Sequence, residues 1–99
     1  MYFTYEKLEV YALAVGVARA ALGVRVNASL RDQLVRAAQS VVLNIAEGSG
    51  LSGDARKRHY RIALGSAAEV GAAFDLAGVG GELANNNRRV AAMLGALTR

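Results

Sequence analysis

The sequence predicts an all-α chain, folded as an antiparallel up-down-up-down four-helix bundle. Three observations carry that reading. Four segments repeat apolar residues at helical spacing. Glycine-bearing or polar breaks separate them, and the short links favour antiparallel neighbours. The 99 residues also contain no proline, which sandwich and loop-rich folds use in turns and an all-helical chain can omit. This length fits one domain, residues 1–99.

The first segment runs from about Thr4 to Val24. Thr4 can act as N-cap, and Glu6 suits the positive end of a helix. Leu8, Tyr11 or Ala12, Val15, Ala18 or Arg19 and Leu22 mark one face. Val10, Leu13, Ala14, Val17 and Ala21 lie elsewhere on the wheel, so this helix is expected to be covered on more than one side. The second segment runs from about Leu30 to Glu47, with Ser29 as N-cap and Asp32 imitating a capping box. Leu30, Leu34, Ala37, Ala38, Val41 and Ile45 form its core stripe, and Gly48 and Gly50 stop it.

The third segment spans Gly53 to Ala77, with Ser52 or Asp54 near its start. Tyr60, Ala63, Ala67, Val70, Phe74 and Ala77 are its core stripe, and Gly78-Val79-Gly80-Gly81 breaks it. The fourth runs from Glu82 to Leu97, with Leu83, Val90, Met93, Leu94 and Leu97 facing in. Its middle, Asn85-Asn86-Asn87, has poor helix propensity.

Composition narrows function. Hydrophobic residues make up 54% of the chain, too many for a disordered one, although 20 of the 99 residues are alanine, which buries little area. Lacking cysteine, the chain has no disulfides, thiol catalysis or thiolate metal sites. Val10–Ala18 followed by Ala18-Arg19-Ala20 imitates a secretion signal. The flank holding Glu6, Lys7 and Glu9 is acidic rather than basic, and the run is shorter than a membrane span, so a cytoplasmic protein with no membrane partner is expected.

No enzyme is expected. His59 is the one histidine, set in Arg56-Lys57-Arg58-His59-Tyr60-Arg61, and reads as an exposed helix residue within a basic cluster. A di-iron bundle needs Glu-x-x-His on two helices, so no metal is expected. Gly48-Ser49-Gly50 lacks the lysine and hydroxyl residue of a phosphate loop, and no cofactor is expected.

The net charge is +4, and ten of the twelve basic residues are arginine. Arg56, Lys57, Arg58 and Arg61 crowd the start of the third helix, where the helix dipole is already positive. Such a cluster invites an anion, either nucleic-acid phosphate or the carboxylates of a partner; a solvated face paired with Glu6, Glu9 or Glu47 is the alternative. Arg36, Arg88 and Arg89 add charge. Only Tyr60 interleaves the cluster, and it belongs to the core stripe, so contact to backbone rather than bases is expected.

Small residues at helical spacing, Ala14, Ala18 and Ala21 on the first helix and Gly65, Ala68 and Ala72 on the third, suggest a subunit interface, with tight packing inside the bundle the alternative. Asn44, Glu47, Ser66 and Glu69 form a polar set expected to hold bundle register. Glu69, in an alanine-rich stretch, should meet an arginine, with Arg36 the candidate.

The stretch from Leu30 to Ser40, continuing through Asn44-Ile45-Ala46-Glu47-Gly48, resembles the signature of four-helix-bundle proteins encoded in 23S rRNA intervening sequences. Tyr60-Arg61-Ile62-Ala63-Leu64-Gly65-Ser66-Ala67-Ala68-Glu69 is similar to it as well, and Tyr5-Glu6-Lys7-Leu8-Glu9-Val10-Tyr11 is similar to that family's first helix. The accessory variability protein of diversity-generating retroelements shares the fold family. The resemblance implies a homo-oligomeric, pentameric barrel. In the retroelement branch it implies an accessory protein that works with a reverse transcriptase and binds RNA or DNA. The alternative, for a protein of the intervening-sequence branch, is a structural interaction module with an acidic protein partner and no nucleic-acid binding. Val42 departs from the family pattern, which has proline two residues before the asparagine.

Overall fold

The structure is a computed structural model and describes residues 2–99. A 3-10 turn, Thr4–Lys7, precedes four α-helices: α1, Glu9–Ala21; α2, Ala28–Ser49; α3, Gly53–Ala77; and α4, Gly81–Leu97. No strand occurs among the described residues. Each helix touches two others: α1 packs on α2 and α4, and α3 on α2 and α4. The bundle therefore closes around one cluster of buried side chains.

The first predicted helix is two pieces. Leu8 is extended, with φ −88° and ψ 121°, so the 3-10 turn and α1 cannot be one rod. Thr4 is not an N-cap. It is the first residue of the turn, and its Oγ1 lies 2.8 Å from the hydroxyl of Ser49 at the far end of α2. The inward face of α1 also differs from the stripe that begins at Leu8. Val10, Ala14, Val17 and Ala21 are the buried set, at spacings of four, three and four. Leu22 lies past the last turn and is 51% exposed. In a segment apolar all round, the stripe with two alanines won, because small side chains let α1 sit close to its neighbours.

The other helices fall near their expected bounds. The α2 cap is Asn27 rather than Ser29: its Oδ1 accepts from the Leu30 amide at 2.8 Å. Gly48 lies inside α2 and is buried, and Gly50 is the C-cap. At the end of α3, Gly78 takes the left-handed conformation, φ 71°. The Val79 amide reaches back to the Phe74 carbonyl at 2.9 Å, closing a Schellman turn that only glycine adopts without strain. The expected stripes of α2 and α3 face the core, except that Leu30 and Ala77 are half-buried and Ala73 joins them. On α4, Leu97 is exposed rather than inward.

The asparagine run is explained by one residue. Asn87 is buried, and its Nδ2 donates to the Ala67 carbonyl of α3 at 3.1 Å. A donor that would weaken an isolated helix here satisfies a cross-helix bond in the core. No described helix is long and apolar enough to cross a membrane.

Candidate nucleic-acid interface

The basic cluster divides once side chains are placed. Arg56 turns back onto the end of α2. Its Nε donates to the carbonyls of Leu51 at 2.7 Å and Gly48 at 3.3 Å, and its Nη2 donates to that of Ser49 at 3.4 Å. Ser49 and Gly48 are the last residues of α2, at the negative end of its dipole, and Gly48 also accepts from the Leu51 amide; Leu51 itself lies in the link just past the Gly50 C-cap. Arg56 is thus a C-terminal cap for α2, with its Nη1 left over. Arg31 does the same for α1, donating from Nη2 to the Leu22 carbonyl at 2.6 Å, a role sequence reading missed.

Lys57, Arg58 and Arg61 behave differently. Among the described residues none of them has a hydrogen-bond or ion-pair partner. Arg58 and Arg61 are exposed and Lys57 is half-buried. Asp54 is the one acid in the first turn of α3. Neighbouring α4 arginines diverge. Arg89 pairs with Glu9 of α1 at 3.4 Å, an exposed bridge. Arg88 reaches Asn85 at 3.4 Å and lines a groove with Ala68, Gly71, Ala72 and Asp75 of α3. Arg36, on α2, is exposed and does not pair with Glu69. Glu69 is itself exposed and lines an open groove beside Gln33, Leu30 and Leu76. The expected Arg36–Glu69 pair fails because Glu69 is wetted and needs no buried partner.

His59 is half-buried rather than exposed. Its Nδ1 lies 3.0 Å from Asn44 Oδ1. Asn44 Nδ2 donates to the Ser40 carbonyl at 2.9 Å, so its Oδ1 is the acceptor and the histidine Nδ1–H the donor. Ser66 donates to Ser40 Oγ at 2.8 Å. His59, Asn44, Ser40 and Ser66 thus form one chain of hydrogen bonds stitching α2 to α3. Asn44 and Ser66, from the expected polar set, belong to it; Glu47 and Glu69 do not.

Of the expected interface residues, Ala14 and Ala21 are 2% and 0% exposed within the single chain, so a second subunit cannot reach them, and Ala18 is half-buried. Close packing inside the bundle explains the α1 set. Gly65, Ala68 and Ala72 remain exposed on α3.

Sequence reading missed the aromatic residues. Tyr2 and Phe3 are 74% and 61% exposed. Phe3 stacks on Tyr5 at 5.4 Å between centroids, and Tyr5 meets Tyr11 at 4.4 Å. Tyr2 and Phe3 share a groove of about 370 Å³ with Lys7, Ser49, Arg56 and Tyr60. Their distance from Arg56 along the chain hides this proximity in the sequence.

Against known proteins, the family profile described as 23S rRNA-intervening sequence protein matches residues 5–90. No curated protein and no solved structure gives a match.

Proposed function

The chain belongs to the 23S rRNA-intervening sequence protein family, and from that premise we propose that it is a non-catalytic, cytoplasmic accessory protein that binds nucleic-acid backbone. One observation carries the proposal: Lys57, Arg58 and Arg61 stand together at the start of α3 with no partner among the described residues. Cations so placed repel one another. A phosphate chain relieves that repulsion, and its binding releases condensed counterions. The proposal extends to an antiparallel bundle assembled as a homo-oligomer, a pentameric barrel in the resemblance given above. From the retroelement branch it takes a reverse transcriptase as a protein partner.

The test is a salt titration of binding to a labelled duplex. Phosphate contact predicts affinity falling steeply with salt, and Arg58→Ala with Arg61→Ala should flatten the log–log slope by about two. Salt-independent binding, or none at low salt, rejects the proposal. Unchanged nucleic-acid binding by the double variant would instead direct the cluster toward an acidic protein.

A further inference from the structure

Tyr2 and Phe3 have no role in the core. They are among the most exposed large apolar side chains of the molecule. Apolar rings left in water beside cations point to a ligand with a flat face and a negative charge. The groove they border supplies both contacts. Lys7 Nζ stands 5.7 Å from the Tyr2 ring centroid, which fixes a charge beside that ring. Arg56 lines the same groove, held by its three carbonyl bonds and with Nη1 unengaged. Phe3 lies within 9° of parallel to Tyr5 and still keeps most of its area in solvent. A volume of about 370 Å³ is in the range of small-ligand sites.

We propose that this groove takes an unpaired nucleotide of single-stranded nucleic acid, its base stacked on Phe3 or Tyr2 and its phosphate held by Lys7 and Arg56. The inference rests on the nucleic-acid reading above and goes beyond it, since the α3 cluster alone would treat duplex and single strand alike. Bases in a duplex already stack on each other, so only an unpaired strand can offer a face to the rings. Stacking of this kind is indifferent to sequence, because every base has a π-face.

Fluorescence anisotropy of the full chain with a labelled 12-nucleotide oligothymidylate, and with a duplex of the same length, tests the assignment. Wild type should bind the single strand more tightly. Tyr2→Ala with Phe3→Ala should weaken single-strand binding by about tenfold or more and leave duplex binding unchanged. Phe3→Tyr should keep it. Oligouridylate should behave as oligothymidylate does. Because the chain has no tryptophan, quenching of tyrosine emission gives a second readout of stacking. Equal single-strand affinity in wild type and the double alanine variant overturns the proposal. So does equal weakening on both ligands, or a fall in oligomer mass that assigns the rings to a subunit contact. If the Arg58 and Arg61 variants lose binding while the aromatic variant keeps it, the stacking site fails and the α3 reading stands. If wild type binds neither ligand at low salt, both fail.

Discussion

Gly48 shows how one residue sets the approach of two helices. As a sequence feature it reads as a helix stop, yet it sits inside α2, buried. The reason lies across the interface. A Cβ at Gly48 would meet the Tyr60 ring at 2.8 and 2.9 Å and the Arg56 carbonyl at 3.2 Å. Tyr60 is buried, and the Arg56 carbonyl is helix backbone, so neither can step aside cheaply. Replacing Gly48 by alanine should gain about 0.5–1 kcal/mol of helix propensity. It should lose about 1–3 kcal/mol to overpacking, and the loss wins. Gly48→Ala is therefore expected to lower the urea midpoint with little change in slope. A midpoint at or above wild type would show that Tyr60 moves freely. Asn87 illustrates the same principle with opposite chemistry, a residue poor for its own helix and right for the neighbouring α3 carbonyl. Neither fact is visible along the chain, because both depend on a partner at least 8 residues away in sequence.

At the scale of the helix, punctuation decides what is legible. The bounds of α3 fall at Ser52-Gly53 and at the Gly78 turn, both written into the sequence, although the Ser52 side chain makes no cap bond. The break at Leu8 carries no glycine or proline, so the 3-10 turn and α1 read as one helix. The core face of α1 is illegible for another reason: apolar residues surround it, and only packing selects Val10, Ala14, Val17 and Ala21. C-terminal capping is hidden too, since Arg31 and Arg56 serve the preceding helix rather than their own. The charge cluster was therefore legible as charge, but its division of labour was not. That division can be measured. Arg56→Ala removes the side-chain donors to the Gly48 and Ser49 carbonyls of α2 and to the Leu51 carbonyl just past it. For a side chain this exposed we expect a loss of about 1 kcal/mol, roughly 4–8 °C in melting temperature. Arg61→Ala touches no such group and should stay within about 0.5 kcal/mol of wild type while weakening duplex binding. Equal melting temperatures for the two variants would refute the capping role.

For the molecule as a whole, the question is where its surplus of apolar residues goes. Ala14 and Ala21 on α1 do not hold it, because both are core. The surplus lies in large exposed side chains, among them Leu43 on α2 and Ile62 and Leu76 on α3. Two cross-helix bonds, Asn44 to His59 and Ser40 to Ser66, bring Leu43 and Ile62 to the same level of the α2–α3 pair. On α3, Ile62, Gly65, Ala72 and Leu76 repeat at helical spacing, so apolar ends flank small residues along one exposed face. Small residues let a neighbouring helix approach, and the flanking Ile62 and Leu76 supply the area that drives association. Arg58 lies one turn before Ile62 on the same side of α3, so the basic cluster borders this face at its N-terminal end. A homo-oligomer built on this surface should respond to charge placed in its middle. Light scattering on wild type is expected to give a multiple of the 10.4 kDa chain mass, fivefold for the barrel. Leu43→Glu with Ile62→Glu should reduce it to a single chain without unfolding it, because both side chains are already wet in the monomer. Circular dichroism would register retained helix in that variant. A wild-type mass of one chain would remove the oligomer from the proposal. An unchanged mass in a folded double variant would keep the oligomer and move its interface off the α2–α3 face.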